Sequence, residues 1–308
     1  MRLTLPRETG LTFADFAQKT FALVRDRVTF PADLQASLHG GIKSVSGLSP
    51  SPSLATRASQ FDSVGTELWN ATTNILRDVD DKQDPRIRRD APSQMTVLLR
   101  AFAFHLLDAA YRASAKRAKD TEQRLRNFRL ALKACRSCLG SDELELSLKI
   151  LERCSDHVST VEDASPLVRL TEESEDGSSA ATMKNLAAEF YLLRIMHAWK
   201  SGRLDVAAHA MNKLNIQTAR NSSIPEKAAD LFYEIGKSLL MNSDTHAATE
   251  WLERGLTALD ACDIEHLSDD AADLRLSLSA KLGMHQILST STKSANWGSE
   301  VPVFQPRT

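Results

Sequence analysis

Four residues carry the spacing most suggestive of chemistry. Cys135, Cys138, Cys154 and His157 read C-x2-C-x15-C-x2-H, with the ligand types and intervals of a zinc ribbon. A ribbon needs a tight knuckle inside each pair, and neither pair contains Gly or Pro. Three of the positions also fall on the apolar stripe of helical segments, where cysteine serves as a small buried residue. The set is therefore read as core packing, with no metal and no cofactor expected. His105, His197, His209 and His246 are scattered without a ligand spacing such as H-E-x-x-H. No phosphate-binding glycine loop and no G-x-S-x-G nucleophile elbow occurs, so an enzyme is not expected. Between Arg112 and Arg136 nine Lys and Arg face two acids, Asp120 and Glu122. That run has three readings: a solvated helix face, a surface for an acidic protein, or a DNA-phosphate contact.

These groups must be positioned by helices. The chain has 308 residues, 42% hydrophobic and 25% charged, with a net charge of −2. Such a composition supports a packed core and excludes a globally basic nucleic-acid binder. Gly and Pro total 22 residues, too few for a fold rich in turns. The N-terminus shows no apolar signal segment, and no run of 18 apolar residues suggests a membrane span. An intracellular, soluble, all-α chain is expected.

Apolar residues at helical spacing mark segments at 12–28, 54–79, 95–119, 121–139, 141–158, 180–200, 204–214, 225–241, 245–260 and 268–282. Residues 39–53, rich in Gly, Ser and Pro, read as a loop, and 80–92 as a connector. Residues 160–179 hold six acids against Arg169 and read as a solvated insert. The tail 289–308 lacks a helical pattern and is expected to be disordered. The expected organisation is an irregular N-terminal helical region at 1–92, helical repeats at 93–288, and the tail.

A repeat underlies the second region. Gly202 aligns with Ser243, Ala207 with Ala248, Met211 with Leu252, and Tyr191 with Phe232, a period of 41 residues. Ile195 then aligns with Gly236. An earlier copy, 60 residues upstream, sets Cys135 against Ile195, Ser147 against Ala207 and Leu151 against Met211. Small residues at one position let two helices cross closely. Successive hairpins then bury together what one hairpin cannot. The turn KSGRLDVAA at 200–208 is like that of a tetratricopeptide repeat (TPR), although the usual period is about 34 residues. An α-solenoid of TPR-like hairpins is the expectation. First helices of a solenoid line its concave face, which nominates Arg129, Arg136, Glu189, Met196, Trp199, Tyr233 and Lys237 as a protein-binding groove. The alternative for Trp199 and Tyr233 is packing between hairpins. Ser49-Pro50, Ser51-Pro52 and Ser165-Pro166 have the minimal form of proline-directed phosphorylation sites.

Several stretches, in order, resemble the fungal meiosis-specific TPR family called Spo-twenty-two/Zip-four. They are GTELWN at 65–70, RAFAFHLLD at 100–108, ALKA at 131–134 leading to DELEL at 142–146, ADLFYEIGK at 229–237, ATEWLER at 248–254 and LRL at 274–276. The resemblance spans about residues 55–282 and covers only the N-terminal part of the family's longer array. It implies a non-catalytic scaffold of the synapsis-initiation (ZMM) group, acting in the nucleus on meiotic chromosomes. Its implied role is crossover formation and synaptonemal complex assembly. Its implied partners are other chromosome-axis or synapsis-initiation proteins, with DNA contact secondary and no membrane. A cytoplasmic TPR-like adaptor is the alternative that composition and periodicity alone leave open, and a zinc-binding regulatory subunit using Cys135, Cys138, Cys154 and His157 is a second.

Overall fold

A computed structural model describes residues 15, 16, 18–22, 33–80, 94–114, 120–162, 177–214, 223–262, 265 and 267–296. The elements are α1 (Leu34–Ser46), α2 (Pro52–Ala55), α3 (Ala58–Asp80), α4 (Gln94–Ala113), α5 (Thr121–Gly140), α6 (Leu144–Glu162), α7 (Gly177–Lys200), α8 (Leu204–Lys213), α9 (Ile224–Met241), α10 (Thr245–Asp260) and α11 (Asp269–Asn296). Among the described residues there is no strand, and the fold is all-α. No described helix is long and apolar enough to cross a membrane. The chain groups into two compact units, Met1–Met211 and Asn212–Thr308.

In the first unit α3 pairs with α4 and α5 with α6, while α7 packs on both α5 and α6. Helices α1 and α2 lie on α4. Helix α4 is apolar almost all round, and its side chains from Thr96 to Ala110 are buried except Arg100. A helix without a polar face has to sit at the centre of its neighbours. The expected boundary at 92/93 falls between α3 and α4, which pack as a hairpin.

The loop expected at 39–53 is corrected in its first half, because His39 to Ser46 belong to α1. Gly41 is required there by packing. A Cβ at that position would lie 3.2 Å from the ring of Phe102 and 3.3 Å from that of Phe16. Those two rings meet edge-on at 5.5 Å. Close tertiary contact outweighs the roughly 1 kcal/mol cost of glycine in a helix. Helix α11 also continues to Asn296, past Ser289 where the apolar pattern ends. Its 13 residues from Met284 to Asn296 contain no Gly or Pro to stop it. Of the insert expected at 160–179, residues 160–162 end α6 and 177–179 begin α7, while 163–176 and the tail from 297 lie outside the described residues.

Three hairpin turns have one construction. Asp142, Gly202 and Ser243 each adopt a left-handed φ, of 56°, 71° and 63°. The next residue's N–H then donates back to the preceding helix: Glu143 to Cys138 O at 2.9 Å, Arg203 to Ala198 O at 2.8 Å, and Asp244 to Leu239 O at 3.0 Å. This is the Schellman closure, which satisfies the last carbonyls of a helix. Its spacing of 60 and 41 residues reproduces the register read from the sequence.

In α9/α10 and α5/α6 the helices cross at the aligned small residues. A Cβ at Gly236 would meet Leu252 Cγ at 2.7 Å and Ala248 O at 3.3 Å. At the same place in α5 and α6, Cys135 Sγ lies 3.9 Å from Ser147 O. Ile195 and Ala207, which align with these pairs in the sequence, are both fully buried. A further copy, which the sequence comparison missed, joins α3 to α4: a Cβ on Gly65 would sit 2.9 Å from Leu107 Cγ and 3.3 Å from Ala103 O. The long connector at 81–93 separates those two helices in sequence and hides the register.

In the second unit α9 and α10 form the hairpin and α11 packs against both. Phe232 and Trp251 fill its centre with rings 5.5 Å apart. Leu278 and Leu282 of α11 are buried, whereas Leu276, on another side of that helix, is 69% exposed.

Candidate protein-binding surface

Helix α5 places Arg126, Arg129, Lys133 and Arg136 on one stripe, because residues three and four apart share a face. Leu125, Phe128, Leu132 and Cys135 lie on the adjoining, buried side of the helix. Flanking helices neutralise both ends of the stripe. Arg126 reaches α3, 3.4 Å from Asp62 Oδ1 and 3.0 Å from Thr66 Oγ1. Arg136 pairs with Glu189 of α7. Arg129 and Lys133, both exposed, form no ion pair among the described residues.

Met196 and Trp199 are half-buried in the last turns of α7. That end of α7 is tied to the α5–α6 turn, by Lys200 Nζ on Asp142 Oδ1 and by His197 Nε2, 3.3 Å from Leu144 O. Burial lowers the proton affinity of His197. In the second unit Tyr233 and Lys237, one turn apart on α9, are also half-buried. Lys281 of α11 lies over the Tyr233 ring at 5.6 Å, and Lys237 reaches Glu234 at 3.4 Å. The first unit therefore brings Arg136 and Glu189 into contact. Tyr233 is engaged in packing α9 to α11.

The cysteines are placed for packing. Cys135, Cys138 and Cys154 are fully buried. Burial pushes all three thiols up, Cys138 to about 12, so in this core they stay protonated. The fourth member, His157, stacks on Phe128 at 5.3 Å and meets Tyr111 at 5.6 Å. Among the described residues no three His, Cys, Asp or Glu side chains are grouped to hold a metal ion. The cleft between α3, α4 and α5, lined by Asp62, Tyr111, Arg126 and Asn127, encloses about 10 Å³. That is room for one water molecule and not for a substrate.

One polar cluster escaped the sequence reading. Asp108 of α4 is 2% exposed. Its Oδ2 accepts from Arg112 Nε at 2.8 Å and lies 3.8 Å from Arg153 Nε of α6. Its Oδ1 accepts from Asn127 Nδ2 of α5 at 3.2 Å, and the same Nδ2 lies 3.4 Å from His157 Nε2. The two arginines also donate outward, Arg112 Nη1 to Leu48 O at 2.8 Å and Arg153 Nη2 to Ser46 O at 2.6 Å. One carboxylate thus joins α4, α5 and α6 to the end of α1. The Asp108/Arg112 spacing was the sole local signal, since the other pairings span 19 to 107 residues. His105, one turn before Asp108, is fully buried with neither ring nitrogen hydrogen-bonded, and burial lowers its pKa to about 4.

No curated protein and no solved structure matches the chain. A family model does match its C-terminal third. The matched segment runs from the end of α7 through the α9/α10 hairpin and nearly all of α11, the stretch in which the 41-residue repeat was read. Residues 197–295 match the family described as Meiosis protein SPO22/ZIP4 like, so the resemblance noted in the sequence is shown over that segment and points to a meiotic role.

Proposed function

We propose that this chain is a non-catalytic interaction scaffold of meiosis, promoting crossover formation and synaptonemal complex assembly. The observation that carries the reading is the SPO22/ZIP4-like match at 197–295. Repeated helical hairpins with closely crossing helices support it, since stacked hairpins offer long surfaces to protein partners. The proposed partners are chromosome-axis or synapsis-initiation proteins, and the proposed location is meiotic chromosomes in the nucleus. The array is proposed to extend as a solenoid, with Arg129, Arg136, Glu189, Met196 and Trp199 in the first unit, and Tyr233 and Lys237 in the second, as contact residues. DNA is secondary in this reading, because Arg126 and Arg136 already face Asp62 and Glu189.

Disrupting the coding sequence tests the proposal. The expected outcome is normal mitotic growth with fewer crossovers and shortened synaptonemal complexes. Unchanged crossover number and full synapsis would refute it. Trp199→Ala and Tyr233→Ala, tested separately, should each weaken binding of a purified axis or synapsis-initiation protein about thirtyfold, the loss typical of an aromatic anchor of ~2 kcal/mol. Cys135→Ala should leave binding unchanged.

A further inference from the structure

The Asp108 cluster is unbalanced in charge, and its excess faces a loop that carries Ser-Pro dipeptides. Two guanidinium groups, Arg112 and Arg153, share one buried carboxylate. Lys149 of α6 is paired with Glu145, and no other carboxylate is paired with either arginine among the described residues. The surplus positive charge is met only by neutral dipoles, the carbonyls of Ser46 and Leu48. Arg112 Nη2 is buried and has no acceptor. The residue that follows Leu48 is Ser49, exposed and followed by Pro50. The proline restricts Ser49 to extended backbone, the form in which a peptide can enter a kinase cleft. Ser51 is less suited, because its Oγ caps α2 by accepting from Leu54 N at 3.2 Å and lies 3.1 Å from Ser53 Oγ.

We infer that Ser49 is a phosphorylation site for a proline-directed serine/threonine kinase, and that Arg112 and Arg153 receive the phosphate. The Ser49 Oγ attacks the γ-phosphorus of ATP, the bond to the bridging oxygen of the β-phosphate breaks, and ADP leaves. The serine proton passes to the kinase's carboxylate base. The product carries nearly two negative charges and three acceptor oxygens beside arginines that now hold carbonyls. Exchanging a neutral acceptor for a charged one strengthens each hydrogen bond. The modification fastens the α1–α2 loop to α4 and α6, and so gives this face of the first unit a covalent on/off state.

The full chain is incubated with a cyclin-dependent kinase and ATP, and the modified residue is mapped by fragmentation mass spectrometry. Ser49→Ala, a change at an exposed site, serves as the control. Phosphate uptake at Ser49, absent in the control, is the expected result. Phosphorus-31 titration then compares the phosphoprotein with a synthetic phosphopeptide of residues 46–54. Bound arginines should lower the proton affinity of the phosphate at least threefold, a shift of about half a pH unit downward from the peptide's value near 6. Arg153→Gln should return the value toward that of the peptide. Failure to modify Ser49 while the peptide is modified, or modification at Ser51 alone, overturns the site. A phosphoprotein that titrates like the peptide overturns the arginine receptor, whatever the fate of the Arg153 variant.

Discussion

The α5/α6 hairpin of the first unit and the α9/α10 hairpin of the second share a turn and a crossing point, but they bury different chemistry. In α9/α10 the crossing is glycine against alanine, and the interior is apolar around Phe232 and Trp251. In α5/α6 the crossing is cysteine against serine, and Asn127, set against His157, reaches a buried aspartate. Among the described residues every buried polar side chain lies between Thr20 and His157, and none lies in the second unit. One backbone plan therefore tolerates two kinds of interior. An apolar interior is specified by volume alone. A polar one requires each partner to arrive from a different helix, and losing one partner strands the rest.

The largest expected effect tests that contrast. Asp108→Ala leaves two arginines without their carboxylate and should destabilise the first unit by about 3–5 kcal/mol. Glu234→Ala, which removes a half-exposed partner of Lys237, should cost less than ~0.5 kcal/mol. Chemical denaturation of both variants measures the difference, and similar losses would dissolve the distinction between the two interiors.

A comparable loss is expected at the crossing of the second unit. Ala248→Glu forces a carboxylate into a site with no exposure and no partner, at a cost of roughly 3–5 kcal/mol. Glu253→Ala, exposed on the same helix, should shift the midpoint by less than ~0.5 kcal/mol. Equal melting temperatures would refute the repeat register.

Acid should weaken the polar unit selectively. Buried His105 stays neutral down to about pH 4, whereas the unfolded side chain takes up its proton near 6.5. Between these values the unfolded state binds the extra proton, so stability falls as the pH falls. The loss amounts to roughly 3 kcal/mol across the window for one histidine. Thermal melts at pH 7 and pH 4.5 should show His105→Leu losing less on acidification than the native chain.

Gly236→Ala and Cys135→Ala compare the two crossings directly. The added methyl would meet Leu252 at 2.7 Å and should cost about 1–3 kcal/mol. Removing the Cys135 sulfur opens a small void and should cost about 1 kcal/mol. Smallest is a gain. Ser243 holds a left-handed φ of 63° that glycine adopts freely, so Ser243→Gly should stabilise the second unit by a few tenths of a kcal/mol to about 1 kcal/mol. A lower melting temperature in that variant would mean the serine is not strained there.

The helical class and the register of three hairpins were legible in the linear order of residues. Helical periodicity is local, and the Schellman turns at Asp142, Gly202 and Ser243 recur at intervals that survive large changes in side chain. The α3/α4 copy was not legible, because a long connector breaks the interval. Gly40 and Gly41 looked like a loop, since nothing nearby in sequence announces that Phe16 and Phe102 require a missing side chain at Gly41. The C-x2-C…C-x2-H set reads as core packing despite its ligand-like spacing. The structure buries the thiols in the core, where desolvation keeps them protonated. Apart from the Asp108/Arg112 pair, the Asp108 cluster depended on folding: its groups lie up to 107 residues apart, and hydrogen bonds of that range carry no sequence period. What is local in physics could be read from the chain, and what depends on distant helices meeting was decided only when they packed.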